Sequence, residues 1–258
     1  MARYDFRTPR LFINVPLREG ATAALDAGQA NYLANVLRLK SGNSVLVFNG
    51  RDGEWQAALA GTGKGRLALA IGLRIRPQDC PLDLHYLFAP LKHARLDFMA
   101  QKAVEMGASR LQPLITRHVQ VTRVNLDRMR ANAIEAAQQC GILTLPEIRA
   151  PISFDQMIVE RHSDRVLVFC DEEAPVRDPV AALSDVLPAR RARSIALAVL
   201  VGPEGGFAAE ERAALSGLPN TVRLSLGPRI LRADTAAVAA LADPRSSRGL
   251  SSCPAGRA

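Results

Sequence analysis

From residue 10 to residue 75, short apolar-rich runs of strand length are separated by polar and glycine-rich stretches. Arg10–Val15, Ser44–Phe48, Glu54–Ala60 and Arg66–Ile75 read as β-strands. Asn49-Gly50-Arg51-Asp52-Gly53 is a turn between two of them, and Gly61-Thr62-Gly63-Lys64-Gly65 is another. One segment breaks the pattern. Gln29–Leu39 has helical spacing, with Tyr32, Leu33, Val36 and Leu37 on one face. Several short strands with one helix predict a small barrel over residues 1–75.

Arg76-Pro77-Gln78-Asp79-Cys80-Pro81 holds two prolines in six residues and reads as a linker, 76–81. Beyond it the period changes. Strands are expected at Leu82–Phe88, Arg110–Ile115, Arg165–Cys170, Ser194–Val201 and Val222–Leu226. Helices are expected at Ala94–Met106, Leu126–Cys140, Ser153–Val159, Pro179–Val186, Ala208–Leu215 and Ala233–Ala242. Alternating strands and helices, with nearly continuous apolar strands, predict an α/β domain on a mostly parallel sheet over residues 82–243. Residues 244–258 have no apolar period and are expected to be disordered.

Composition adds two constraints. With 258 residues, 48% hydrophobic and 22% charged, the chain can bury a core and is not disordered throughout. Its apolar runs, such as Ile195–Val201, are too short to cross a bilayer, and Met1–Pro16 lacks the apolar core of a secretory signal. Cys80, Cys140, Cys170 and Cys253 are scattered without a CxxC pair, so neither a disulfide scaffold nor a zinc site is expected. A reduced, cytoplasmic protein without a membrane partner is the reading.

The net charge of +8 is unevenly spread. Residues 1–75 hold 10 basic and 5 acidic side chains, residues 76–243 hold 20 of each, and residues 244–258 hold 3 basic and none acidic. A basic N-terminal part points to a polyanion, most simply nucleic acid. Of the 33 basic residues 29 are arginine, which suits phosphate contact, although a genome rich in arginine codons gives the same bias.

Three motifs carry candidate chemistry. In the first, the apolar run ending at Val201 meets Gly202-Pro203-Glu204-Gly205-Gly206-Phe207 and then an acidic helix start, Ala208-Ala209-Glu210-Glu211. Ligands of open α/β sheets bind outside such strand ends, and glycine lets a backbone come close to them. A tight turn explains the same glycines. In the second, Leu226-Gly227-Pro228-Arg229-Ile230-Leu231-Arg232-Ala233-Asp234-Thr235-Ala236 again joins a strand to a helix. Asp234 and Thr235 can cap that helix, and the arginines can be solvated. The third is Lys92-His93-Ala94-Arg95 with Gln101–Gly107, in which Lys102 and Glu105 have ion-pair spacing. The Gly61–Gly65 run is not a phosphate loop, since it lacks the GK[ST] ending, and the Gly202 loop is not a dinucleotide fingerprint.

Together these motifs resemble the RsmE family of small-subunit rRNA methyltransferases, in the SPOUT superfamily, from about Arg10 to Leu241. The pairing of GPEGG with LGPRILRADTA is the specific feature. The resemblance implies an N-terminal PUA-like barrel for RNA and a C-terminal α/β domain with a deep trefoil knot, an exception to the rule against knots. It implies S-adenosylmethionine as cofactor, held by Val201, Gly202, Gly205, Gly206, Leu226, Gly227, Ile230 and Leu231. It also implies a homodimer through the C-terminal domain and methylation of N3 of one uridine in 16S rRNA of the small subunit. Arg232 and Asp234, with Glu204 second, are the catalytic candidates. Arg7, Arg10, Arg38, Lys92, Arg95 and Arg229 are the RNA-binding candidates, and no metal is expected. The chain departs from the family pattern at RADTA in place of RTETA, at Ile142 in place of an arginine, and after Leu241. The rival readings are a SPOUT methyltransferase with another RNA target, a non-catalytic rRNA-binding assembly factor and, weakest, a nucleotide hydrolase.

Overall fold

The computed structural model describes residues 5, 7–62, 66–175, 181–182 and 196–246. The helix expected at Pro179–Val186 lies outside the described residues except for 181–182, as do Gly63–Gly65 and the tail from residue 247. The chain divides into two compact units. One comprises residues 1–80 with 137–144, and the other comprises 81–136 with 145–258.

The first unit is a five-stranded mixed sheet, ordered β1-β3-β4-β5-β2. Its strands are β1 (Arg10–Phe12), β2 (Thr22–Ala24), β3 (Ser44–Phe48), β4 (Glu54–Thr62) and β5 (Arg66–Arg76). β1 runs parallel to β3, and the other pairs are antiparallel. Alternate residues of the long strands, Val45 and Val47, Ala57 and Leu59, Leu69 and Ile71, join Leu11, Ile13 and Leu33 in one core. These alternate positions line one face of the sheet, while Leu46 and Phe48, which alternate with them on β3, are buried on the other. The expected helix is shorter and looser than its spacing suggested. α1 (Ala27–Asn31) starts on an Asp26 capping box and continues as π-helical turns over Tyr32–Val36. The wider turn rotates the apolar stripe, so Leu33 is buried while Val36 is exposed.

Arg76 and Gln78 are integrated into this unit rather than forming a free linker. Glu54 is buried between the guanidinium groups of Arg10 and Arg76, the latter with Nε 2.6 Å from its carboxylate. Arg10 donates to the Gln138 carbonyl at 3.3 Å, and Arg76 to the Gly141 carbonyl at 2.9 Å. These carbonyls end the helix α3 (Leu126–Cys140), where the last turn leaves acceptors without helical partners. Gly141, at φ 67°, closes that helix, and the Ile142 amide bonds back to the Ala137 carbonyl at 3.0 Å. This is the Schellman arrangement, and it accounts for the glycine. It also corrects the sequence expectation for Arg10. That side chain is 4% exposed and holds Glu54, so it is not available to RNA phosphate.

The second unit is built on parallel strands ordered β12-β10-β11-β6-β7-β8, with β9 (Ile152–Ser153) paired to β7. The strands are β6 (Leu84–Phe88), β7 (Arg110–Ile115), β8 (Glu147–Ile148), β10 (Val166–Cys170), β11 (Leu197–Val201) and β12 (Thr221–Leu224). The helices α2 (His93–Glu105), α4 (Phe154–Glu160), α5 (Ala209–Gly217) and α6 (Ala233–Ser246) join them with α3. Leu84, Tyr86, Phe88, Val166, Val168, Leu197, Val199 and Val201 face a core shared with α2, α3 and α6. The intervening Leu87, Leu167, Phe169, Ala198 and Leu200 face a second core with α4, α5 and Phe207. Both faces are covered, so these strands read as unbroken apolar runs. The Ala-rich helix α6 runs one turn beyond its expected end, through Pro244 to Ser246. Near a helix C-terminus the missing proline N–H costs a single bond.

Candidate active site

Parallel strands deliver their loops to one edge. Val201 is registered with Phe88 on one side and Cys170 on the other, and Cys170 also pairs with Leu224. The loops after β6, β10, β11 and β12 therefore start side by side, where α/β sheets bind ligands.

The loop after β11 is held from several directions. The Gly206 amide donates to the Pro203 carbonyl at 2.9 Å, and Gly206 takes φ 70°. Phe207 folds back into the core and meets Phe169 edge-on at 5.1 Å. A Cβ on Gly202 would sit 2.4 Å from the Phe207 ring, so glycine is required there by the loop's own aromatic residue. Glu204 forms an ion pair with Arg95 of α2. The His118 Nδ1 lies 3.2 Å from the Gly206 carbonyl. Glu211 accepts from the Ala208 amide at 3.0 Å and the Arg117 amide at 2.9 Å, closing the start of α5. Gly205 is exposed and has no positive φ; a Cβ there would lie 3.4 Å from the His118 Cβ.

The loop after β12 is open by comparison. Gly227 has φ 109°, and a Cβ there would meet nothing within 4 Å. Leu226 and Leu231 lie partly buried against the core, whereas Arg229 and Arg232 are exposed and Ile230 is 88% exposed. The Arg232 carbonyl accepts the first bond of α6, from Ala236 N at 2.8 Å. The helix start thus fixes the Arg232 backbone and leaves its guanidinium outside. Asp234 is half-buried, and its Oδ1 accepts from the Thr235 amide at 2.8 Å. Among the described residues no ion pair joins Arg232 to Asp234.

The structure thus gathers Val201, Gly202, Glu204, Gly205, Gly206 and Arg95 around the first loop. Leu226, Gly227, Arg229, Ile230, Leu231, Arg232 and Asp234 form the second, and Lys92 stands exposed at the start of α2. Arg7 and Arg38 are exposed on the first unit, Arg38 with φ 55°. Lys102 pairs with Glu105 at 2.8 Å, a local ion pair. Among the described residues, no group of three or more His, Cys, Asp or Glu is placed to hold a metal, and no helix is long and apolar enough to cross a membrane.

Sequence reasoning missed His118 and the acid Asp171. Asp171 is buried directly after β10, bonded to Arg223 at 2.5 Å and 3.6 Å from Arg212. Its signal was available: an acid immediately following a fully apolar strand lies at the ligand edge. Tyr86, whose hydroxyl is buried 3.3 Å from the Met99 sulfur, is held neutral. Burial first, then the nearby Cys170 and Asp234, push its pKa well above the usual phenol value.

Residues 78–243 match the family model described as RNA methyltransferase domain, and residues 25–71 match that of the RNA methyltransferase PUA domain. Ribosomal RNA small subunit methyltransferase E of Rickettsia conorii is 31% identical over 92% of this chain and 94% of its own length. The enzyme of the same name from Synechocystis sp. is 30% identical over 86% and 72%. Among solved structures, the Neisseria gonorrhoeae enzyme of that name bound to S-adenosyl methionine has a TM-score of 0.80, at 26% identity over 93% of this chain and 98% of that one. A Legionella pneumophila protein in complex with the cofactor SAM has a TM-score of 0.75, at 27% identity over 93% and 98%. From its edge loops to its paired domains, the chain belongs to the ribosomal RNA small subunit methyltransferase E family.

Proposed function

We infer that this protein transfers a methyl group from S-adenosylmethionine to N3 of one uridine in the 16S rRNA of the small ribosomal subunit. The observation that carries this reading is the pair of glycine–proline loops at one edge of the sheet, after β11 and β12 with β10 between them, one braced and one open. The residues fit the cofactor. Among the described residues, the amides of Leu226, Gly227, Arg229, Ile230 and Leu231 have no hydrogen-bond partner within the protein. Such donors, beside the half-buried Leu226 and Leu231, suit the edge and face of an adenine ring. Val201, Gly202, Gly205 and Gly206 would form the opposite wall.

The bound cofactor would supply an electrophilic methyl group on a sulfonium. The chain's own residues must then make N3 nucleophilic and hold it in line. Uridine N3 carries a weakly acidic proton. Asp234 is the assigned acceptor, because the other carboxylate candidate, Glu204, is committed to Arg95. Arg232, backbone-anchored and side-chain-free, stabilises negative charge spreading onto the uracil carbonyl oxygens, with Arg229 beside it. Glu204 then serves as a positioning residue that ties the first loop to α2. Contact with RNA on the N-terminal unit falls to Arg7 and Arg38. The further parts of the reading are the trefoil knot, a homodimer through the C-terminal unit and a cytoplasmic location.

The test is transfer of tritium from labelled S-adenosylmethionine to small subunits that lack the modification. Label in the rRNA is expected. Binding to the subunit without transfer would favour the assembly-factor reading instead.

A further inference from the structure

The second unit contains a 410 Å³ cavity that the loops described above do not form. It lies between α2, the start of α3 and the segment that precedes α3. Its volume is in the range of small-ligand sites, about 300–1,000 Å³. Leu91, Leu96 and Met129 give it an apolar floor, and Lys92, Arg123 and Arg128 stand around it. Its acid, Asp97, is already engaged. Asp97 accepts from Arg128 Nε at 2.9 Å and Nη2 at 2.5 Å, and from Asn132 Nδ2 at 2.7 Å. What remains toward a ligand is therefore cationic: the exposed Lys92 and Arg123.

An apolar floor under a cationic rim matches one chemistry closely, a flat ring attached to a phosphate. The position in the fold adds to this. Lys92, Leu96 and Ala100 repeat at four-residue spacing and place one face of α2 on the cavity. Arg95, on the first turn of that helix and not among the residues that line the cavity, pairs with Glu204 in the glycine loop. Leu91 and Met129 belong to the same core against which Leu226 and Leu231 pack. The cavity and the two loops are thus neighbours that share α2 and one core.

We propose that this cavity seats an unpaired nucleotide of the substrate RNA close in sequence to the methylated one, its base on Leu91, Leu96 and Met129 and its phosphate at Lys92 and Arg123. RNA that is read by sequence is read through splayed-out bases, and a second seated base would fix the strand on either side of the reacting one. This inference rests on the reading of the chain as an RNA methyltransferase and says which part of the RNA it holds.

The experiment uses the full chain and a single-stranded oligonucleotide spanning the target uridine, measured by fluorescence anisotropy over a range of salt. Arg123 is exposed, so Arg123→Ala should fold. It should weaken binding about three- to tenfold and make the salt slope shallower by about 0.7, the loss of one phosphate contact. Arg123→Lys should restore the slope. Replacing the nucleotides around the target one at a time by abasic residues should reveal one position whose loss weakens binding to the wild type. That loss should be much smaller in Leu96→Glu, whose floor is spoiled. An unchanged affinity and slope in Arg123→Ala overturns the proposal. So does a change in sedimentation of Arg123→Ala with RNA binding intact, which would make the cavity a face for another protein copy. Failure of the wild type to transfer label, by contrast, would break the methyltransferase reading itself.

Discussion

The loop after β11 and the loop after β12 start two strands apart on the same edge, and both are built from glycine and proline, yet they are held differently. The first is braced by a buried phenylalanine, a backbone turn, an ion pair and a carboxylate cap. The second rests on two half-buried leucines and otherwise leaves its backbone and two arginines to solvent. Glycine therefore means different things in the two. Gly202 is glycine because Phe207 occupies the space of a side chain. Gly227 is glycine because its backbone takes a left-handed conformation in open surroundings. The braced loop is suited to presenting a fixed wall. The open loop is suited to closing on a ligand and offering charge to a substrate.

The largest effect that would separate the two loops is expected at Arg232. Removing one charged donor that meets the developing anion costs about 2.7–4 kcal/mol in the barrier, roughly a hundred- to a thousandfold in rate. Arg232→Ala should show this in single-turnover methylation at saturating cofactor, with cofactor affinity in calorimetry unchanged. Lys should recover part of the rate, because a point charge lacks the planar fork. A near wild-type rate would remove the catalytic assignment, and weakened cofactor binding would make the residue a support for the loop.

The braced loop should respond in stability instead. Gly202→Ala forces the Phe207 ring from its place, and overpacking of this kind costs about 1–3 kcal/mol. Thermal unfolding should register it, with cofactor affinity falling as the wall shifts. An unchanged melting temperature would mean that the loop is less constrained than its contacts imply. The smallest effect is expected for the exposed pair of Arg95 and Glu204. Arg95→Ala should change stability by less than about 1 kcal/mol, as such pairs usually do. A larger loss in denaturant unfolding would show that the pair is a principal brace of the loop.

Much of this was legible in the sequence because it was local. The apolar runs at β10 and β11, the helix Leu126–Cys140 and the Ser153 cap follow from periodicity and capping within a few residues. What escaped was set by distant partners. Arg10 reads as one more cation of a basic segment. Its fate is decided by Glu54, 44 residues on, and by the Gln138 carbonyl, 128 residues on. Glu204 reads as a free carboxylate until Arg95, 109 residues earlier, is placed against it. The strand Thr22–Ala24 is too short to show a period, and the π-helical turns at Tyr32–Val36 obey a wider spacing than the α-helix. The glycines of the two loops could be found by motif, but their different reasons could not, since Phe207 explains one and a backbone angle the other.

The most direct test of the central claim is nucleoside mass spectrometry of 16S rRNA after small subunits lacking the modification are incubated with the protein and S-adenosylmethionine. The account predicts the appearance of 3-methyluridine at a single position, and its absence when the cofactor is omitted. A methylated nucleoside of any other kind, or rRNA left unmodified by folded protein that binds both subunit and cofactor, would contradict it.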